Sequence, residues 1–219
     1  MKIYRPTRTN HKTQGFGESN ACIDIDNKVK TKVNGVCIDS IELYPALGLK
    51  GHNGEDWRTY RGEPIYFPAD FPKVEWKAKS ESDYHGGIGV DVYSDKEVLI
   101  KGNYKGLVKN HPEGYFGYVK LRFWHLQKID IYDGKPIKFG DRIGFADNTG
   151  LSSGDHLHWA IKMCDITGRG INQNNGYYGA FEFPFFENRF TLDVLNIKIG
   201  MMKEVVELLK KIIFLMSRA

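Results

Sequence analysis

The chain has 219 residues, 41% hydrophobic and 26% charged, a composition that excludes a disordered or collagen-like polymer and suits one generous compact domain. Its net charge is +4, with the basic excess confined to the first fifty and last nineteen residues. The middle is near neutral, which argues against a nucleic-acid partner. Glycine is over-used, at 24 residues, beside 13 Phe and 12 Tyr, which implies tight turns between aromatic-rich strands.

Residues 1–14, MKIYRPTRTNHKTQ, are basic but have no apolar stretch behind them, so no secretory signal peptide is expected. No run of about 18 apolar residues is available for a membrane span. Residues 1–40 read as an irregular, turn-rich extension with short strand pieces. Cys22, Cys37 and Cys164 are odd in number and contain no C-x-x-C pair. Cys22 and Cys37 could pair, but small buried thiols are the favoured expectation.

From about residue 63 the segments EPIYFPA, GIGVDVYS, EVLIKG, YVKLRFWHL, RIGFA and HLHWAIKM are short, rich in β-branched and aromatic residues, and separated by turn signals. No helical pattern interrupts residues 51–163. A mainly β, antiparallel body over residues 41–190 follows, rather than a parallel sheet with crossover helices. The aromatic run GYYGAFEFPFFENRF at 176–190 reads as a wrapping or edge segment whose role is packing. Residues 191–219 form a C-terminal segment whose amphipathic helix, from Met201, is expected to dock on its own domain or on a second copy, ahead of a membrane-surface contact.

Four of the seven histidines lie in patterned places. His52 and Asp56 are four apart in a loop with two glycines, so both side chains can curl onto one ion. His156 and His158 alternate at the start of a strand and share a face, with Leu157 on the other. His125 ends YVKLRFWHL, where alternation places Phe123 on its face and Trp124 opposite. Two imidazoles and a carboxylate suffice for a catalytic zinc, and surplus imidazoles can serve as base and oxyanion donor in hydrolysis of an acyl bond. His11, His85 and His111 sit in polar, turn-rich text and are expected to be solvated; Asp141 and Asp155 read as turn aspartates.

The ordered set His52-x-x-x-Asp56, His125 in a W-H-L context, Gly140-Asp141-Arg142-Ile143-Gly144, Asn148-Thr149-Gly150 and Ser153-Gly154-Asp155-His156-Leu157-His158 resembles the lysostaphin/LytM-type M23 metallopeptidases, and TQGFGE and GLKGHNG resemble entries to that domain. The resemblance covers roughly residues 13–163. It implies a small antiparallel β-domain of the LytM, duplicated-hybrid-motif type, with long loops. It also implies one zinc held by His52, Asp56 and His158, with His156 as general base and His125 assisting the base or steadying the transition state. The implied substrates are peptide bonds of bacterial peptidoglycan, so the chain would act at the cell wall. Without its own export signal it would be released by lysis, carried on a virion or exported by a non-standard route, and a phage origin is one such case. A non-catalytic wall-binding or regulatory module is the rival, disfavoured because all five positions are filled.

Three departures from the family pattern carry expectations. Glu55, beside a ligand position, is expected to point to solvent. The expanded stretch 67–117 is expected to lengthen the groove walls and alter substrate choice, and Trp124 stands where a small residue is common.

Overall fold

The computed structural model describes residues 1–216; the last three residues of the expected 191–219 segment lie outside the described residues. In chain order the strands are β1 (Lys2–Arg5), β2 (Lys12–Gln14), β3 (Ala21–Ile23), β4 (Val29–Thr31) and β5 (Ile41–Glu42), then a one-turn helix α1 (Leu43–Ala46). There follow β6 (Glu55–Arg58), β7 (Pro64–Tyr66), β8 (Ala69–Asp70), β9 (Trp76–Asp83), β10 (Gly87–Ser94), β11 (Val98–Lys101) and β12 (Gly114–Ile129). The chain ends with β13 (Pro136–Ile137), β14 (Arg142–Ala146), β15 (His156–Cys164), β16 (Ala180–Phe181), β17 (Phe186–Phe190) and the helix α2 (Thr191–Met216).

The expected antiparallel body is present. Its main sheet runs β13-β9-β10-β12-β15-β6-β2, and no helix interrupts residues 51–163. Period-two alternation sorts its two faces. Val90 and Val92 of β10, Val119, Leu121 and Phe123 of β12, and Leu157, Trp159, Ile161 and Met163 of β15 are fully buried in one core. The alternate residues, Asp91, then Lys120 and Arg122, then His156, His158 and Lys162, occupy the opposite face. The aromatic run 177–190 packs as expected: Phe183 stacks on Trp159 at 4.0 Å between ring centroids, and Phe186 approaches the same indole.

The N-terminal strands join this body. β1 pairs with β8 and, in parallel, with β17, while β2 pairs with β6. Strands β4-β3-β5 form a separate small sheet, and with α1 they bury Ala21, Leu43 and Tyr44 against Leu49 and Leu151, so this sheet roofs the polar face of the main one. Cys22 and Cys37 are disulfide-bonded within the roof, which corrects the expectation of free thiols; a small sheet with a three-residue core needs such a cross-link. Cys164 is a free, buried thiol as expected.

The helix also departs from expectation. α2 starts at Thr191, whose hydroxyl donates to the Arg5 carbonyl at 2.8 Å, and its first two turns dock through Val194, Leu195 over Gly140, and Lys198 paired with Asp70. A 26-residue helix is about 39 Å long. The body ends where those two turns do, so Met201, Val205, Leu208 and Ile212 are exposed rather than docked on this chain's own domain, the first of the two expected places. No helix among the described residues is long and apolar enough to cross a membrane.

Candidate metal centre

Strand register assembles the site. β6 and β15 are antiparallel neighbours with Asp56 opposite His158, which sets a carboxylate beside an imidazole on the polar face. His52 arrives from the preceding loop, which is clamped to TQGFGE: Gly17 N–H donates to the His52 carbonyl and His52 N–H to the Glu18 carbonyl, both at 2.8 Å. Gly54 beneath has no room for a side chain, since a Cβ would lie 2.6 Å from the Trp159 carbonyl and 2.7 Å from the His158 ring.

The three side chains converge. His52 Nε2 is 2.9 Å from His158 Nδ1 and 3.2 Å from Asp56 Oδ1, and His158 Nδ1 is 3.0 Å from Asp56 Oδ1. One ligand atom from each of His52, Asp56 and His158 lies within 4.8 Å of the others. His156 Nε2 is 3.6 Å from Asp56 Oδ2 and the His125 ring lies tilted beside that of His156 at 4.5 Å between centroids, so all five expected residues meet in one place.

Electrostatics prepares the cluster for a cation. Burial alone would raise the Asp56 carboxyl, but His52, His156 and His158 outweigh it and hold it well below the usual carboxylate range. Burial pushes His158 down to about 4 despite Asp56, and burial with the neighbouring His156 and His158 pushes His125 down to about 3. Both rings are therefore neutral at pH 7, as metal ligation or proton acceptance requires. Two backbone carbonyls fix tautomers: His156 Nδ1–H donates to the Gly154 carbonyl at 2.8 Å and His125 Nδ1–H to the Thr149 carbonyl at 2.6 Å. Each ring then carries its lone pair on Nε2.

His125 reaches the site by a route that alternation does not describe. Phe123 lies in the core, while Trp124 and His125, consecutive residues, both line the groove. The pairing with β10 shifts between Ile88 and Val90, so two residues of β12 oppose Gly89, and His125 takes a left-handed backbone with φ 62°. The large Trp124 ring fits because Gly86 and Gly89 lie under it, where a Cβ would come within 2.1 Å of its atoms.

Glu55 does not face solvent. It is buried, accepts from Trp57 Nε1–H at 2.9 Å and pairs with Lys12 at 2.7 Å, because alternation turns it away from Asp56 toward donors below the sheet. Asp141 accepts from the Lys138 amide in a turn and Asp155 lies near Arg61; neither is hydrogen-bonded to an imidazole among the described residues. His85 and His11 are exposed, His85 at the groove edge.

The groove above the cluster encloses about 660 Å³ between the roof, with Ala21, Val29 and Tyr44, and a floor of His158, Ala160, Arg122 and Lys162. Tyr44 donates its hydroxyl to Gln14 Oε1 at 2.8 Å, and its ring approaches His52. The roof residues carried no sequence signal. Arg122 and Lys162 did, through their even spacing from Trp124 and His158.

No family model matches the chain. It is 30% identical over 132 residues to an uncharacterized metalloprotease of Haemophilus influenzae, a match covering 59% of this chain and 22% of that protein. It is 29% identical over 149 residues to the peptidoglycan DD-endopeptidase ShyA of Vibrio cholerae, covering 68% of this chain and 27% of the relative. By sequence the chain is similar to proteins named as a metalloprotease and a peptidoglycan endopeptidase. The chain spans about a quarter of the length of the curated relatives it matches. Among solved structures, the catalytic domain of lysostaphin from Staphylococcus simulans is 19% identical, covering 70% of this chain and 80% of that domain at a TM-score of 0.42, a likeness that adds nothing to the sequence match.

Proposed function

We propose that this chain is a metal-dependent endopeptidase that hydrolyses peptide bonds of bacterial peptidoglycan, holding one zinc ion per chain with His52, Asp56 and His158. The observation that carries it is the convergence of those three ligand atoms within 4.8 Å under a groove that presents two further imidazoles. The donor set fits the ion: one carboxylate held ionised and two imidazoles, with no thiolate, are the ligands of a hydrolytic zinc, and the His158 ring is held neutral by its burial. The peptidoglycan endopeptidase named among the relatives supports the substrate class. The peptidase unit is residues 41–190, to which residues 1–40 add β1, β2 and the β3 and β4 strands of the roof. The disulfide in that roof suits action at the cell wall, outside a reducing cytosol.

A bound zinc supplies Lewis acidity, polarising the scissile carbonyl and acidifying water. His156, with Nδ1–H held by Gly154, takes the proton at Nε2 and returns it to the departing amine. His125 presents the same lone pair, and its burial opposes the imidazolium that oxyanion donation from Nε2 would need. Its role is therefore to assist His156. The roof and Trp124 line the groove over the imidazoles and limit water there.

The deciding experiment is digestion of purified sacculi of several chemotypes with mass analysis of the released fragments. Soluble peptide fragments should appear with the zinc-loaded protein, vanish on chelation and return with zinc. Intact sacculi in the presence of a fully zinc-loaded protein would overturn the proposal.

A further inference from the structure

Beyond the imidazoles, the groove floor continues into a cluster of charges that the chemistry above does not use. Asp91 of β10 is fully buried and saturated: Arg122 grips it with Nε and Nη2, both at 2.7 Å, and Lys120 Nζ lies at 2.5 Å. Lys162 stands directly opposite Lys120 in the β12/β15 register and is 3% exposed, yet among the described residues it makes no ion pair or hydrogen bond. Its ammonium has only the ring of the half-exposed Tyr178, 4.7 Å away. Two basic groups thus hold one carboxylate while a third basic side chain lies beside them without an anion. Burial and the neighbouring Arg122 hold the Lys162 ammonium well below the ordinary lysine range, an arrangement that an added anion would relieve.

The position of this surplus is informative. Arg122 and Lys162 both line the groove, and Arg122, stacked on Trp124 at 4.5 Å, keeps the Nη1 donors that Asp91 does not use. Lys162 lies four residues beyond His158 on the same face of β15, about 13 Å along the strand, and Arg122 about half as far. An extended peptide covers that span in two to four residues.

Resting on the peptidase reading, we infer that Lys162 and Arg122 form a carboxylate-binding subsite that recognises a free carboxylate of the peptide substrate, two to four residues from the bond that is cut. Tyr178 closes over it. The carboxylate is either the terminal group of a stem peptide or a side-chain group within it, and both offer the same planar anion to the guanidinium fork and the ammonium.

The test uses the full chain carrying His156→Ala and loaded with zinc, so that bound peptide is not consumed. Three acidic pentapeptides are titrated by calorimetry: one with all carboxylates free, one amidated at its terminus and one amidated at its side chain. The free peptide should bind at least tenfold more tightly than one of the amidated forms, and which form loses affinity identifies the carboxylate. Adding Lys162→Met should abolish that difference while leaving the amidated peptide's affinity unchanged; the three-peptide comparison stands without this variant should it fold poorly. Equal affinities, or no binding of any of the three, would overturn the subsite. Carboxylate discrimination in a protein whose wild type leaves sacculi intact would sustain the subsite and sink the peptidase reading instead.

Discussion

Asp56 and His158 are register partners on adjacent antiparallel strands, with Asp56 Oδ1 3.0 Å from His158 Nδ1. Strand pairing holds these two proposed ligands, so the backbone would pre-organise them before any ion arrives. Removing either should empty the site: Asp56→Ala or His158→Ala is expected to lose stoichiometric zinc and about 10³-fold or more in kcat. Metal content by atomic absorption, read beside circular dichroism, checks this. Full occupancy in a folded His158→Ala protein would remove it from the ligand set.

His156 differs in kind from these ligands. His156→Ala should keep one zinc per chain and lose about 10²- to 10⁴-fold in kcat with little change in KM. Ser152, whose hydroxyl lies 3.2 Å from His156 Nδ1, should cost less than about tenfold on replacement by alanine, because Gly154 still fixes the tautomer. Unimpaired turnover in His156→Ala excludes it as the base.

Gly54→Ala tests the packing beneath the site. The added methyl would meet the Trp159 carbonyl and the His158 ring at 2.6–2.8 Å, and a backbone oxygen in a paired strand cannot retreat. Overpacking of this kind costs about 1–3 kcal/mol. The expected outcome is a lowered Tm together with weaker zinc binding, measured by competition with a chelating dye; wild-type values for both would show that the loop relaxes freely.

Stability should depend on pH with a definite sign. Unfolded histidines ionise near 6.5, whereas His158 and His125 are held down at about 4 and about 3 in the fold. Between pH 6.5 and about 4 the unfolded chain binds more protons, so stability falls as pH falls, and Asp56, held below its ordinary value, adds to the loss at lower pH. Metal-free protein should melt several degrees lower at pH 5 than at pH 7.5, and zinc should raise Tm more at pH 7.5 than at pH 5. A flat melting profile contradicts this electrostatic account.

The disulfide closes a 15-residue separation, for which the chain-entropy treatment gives about 3 kcal/mol. That stabilisation falls on the roof, whose own core is small. The double variant Cys22→Ser, Cys37→Ser should leave the main sheet folded and the zinc bound, while KM rises and residues 24–40 become open to limited proteolysis. Unchanged KM and protection would mean that the roof is held by Leu151 and Tyr44 alone.

His52, Asp56, His156 and His158 were legible in the sequence because a glycine-bent loop and strand alternation each act over a few residues. His125 was legible as a candidate but not in its orientation: the bulge opposite Gly89 depends on the partner strand, and period-two reasoning put Phe123 on the wrong face. Glu55 was misjudged for a related reason, since its buried partners Lys12 and Trp57 come together only when β2 pairs with β6. The mainly β body followed from composition and turn spacing. The roof did not, because spacing alone left the pairing of Cys22 with Cys37 open. The helix was found but begins at Thr191, earlier than its amphipathic stretch, and leaves that stretch in solvent.

His52 and His158 are 106 residues apart. In a metal-nucleated miniature domain the ligands lie close in sequence and the ion can direct folding from the start. Here the proposed ligands meet only after β15 has found β6 across half the chain, so assembly is limited by long-range strand pairing. Zinc should accordingly leave the refolding rate unchanged and slow unfolding, acting as a late-arriving lock on a sheet that has already closed.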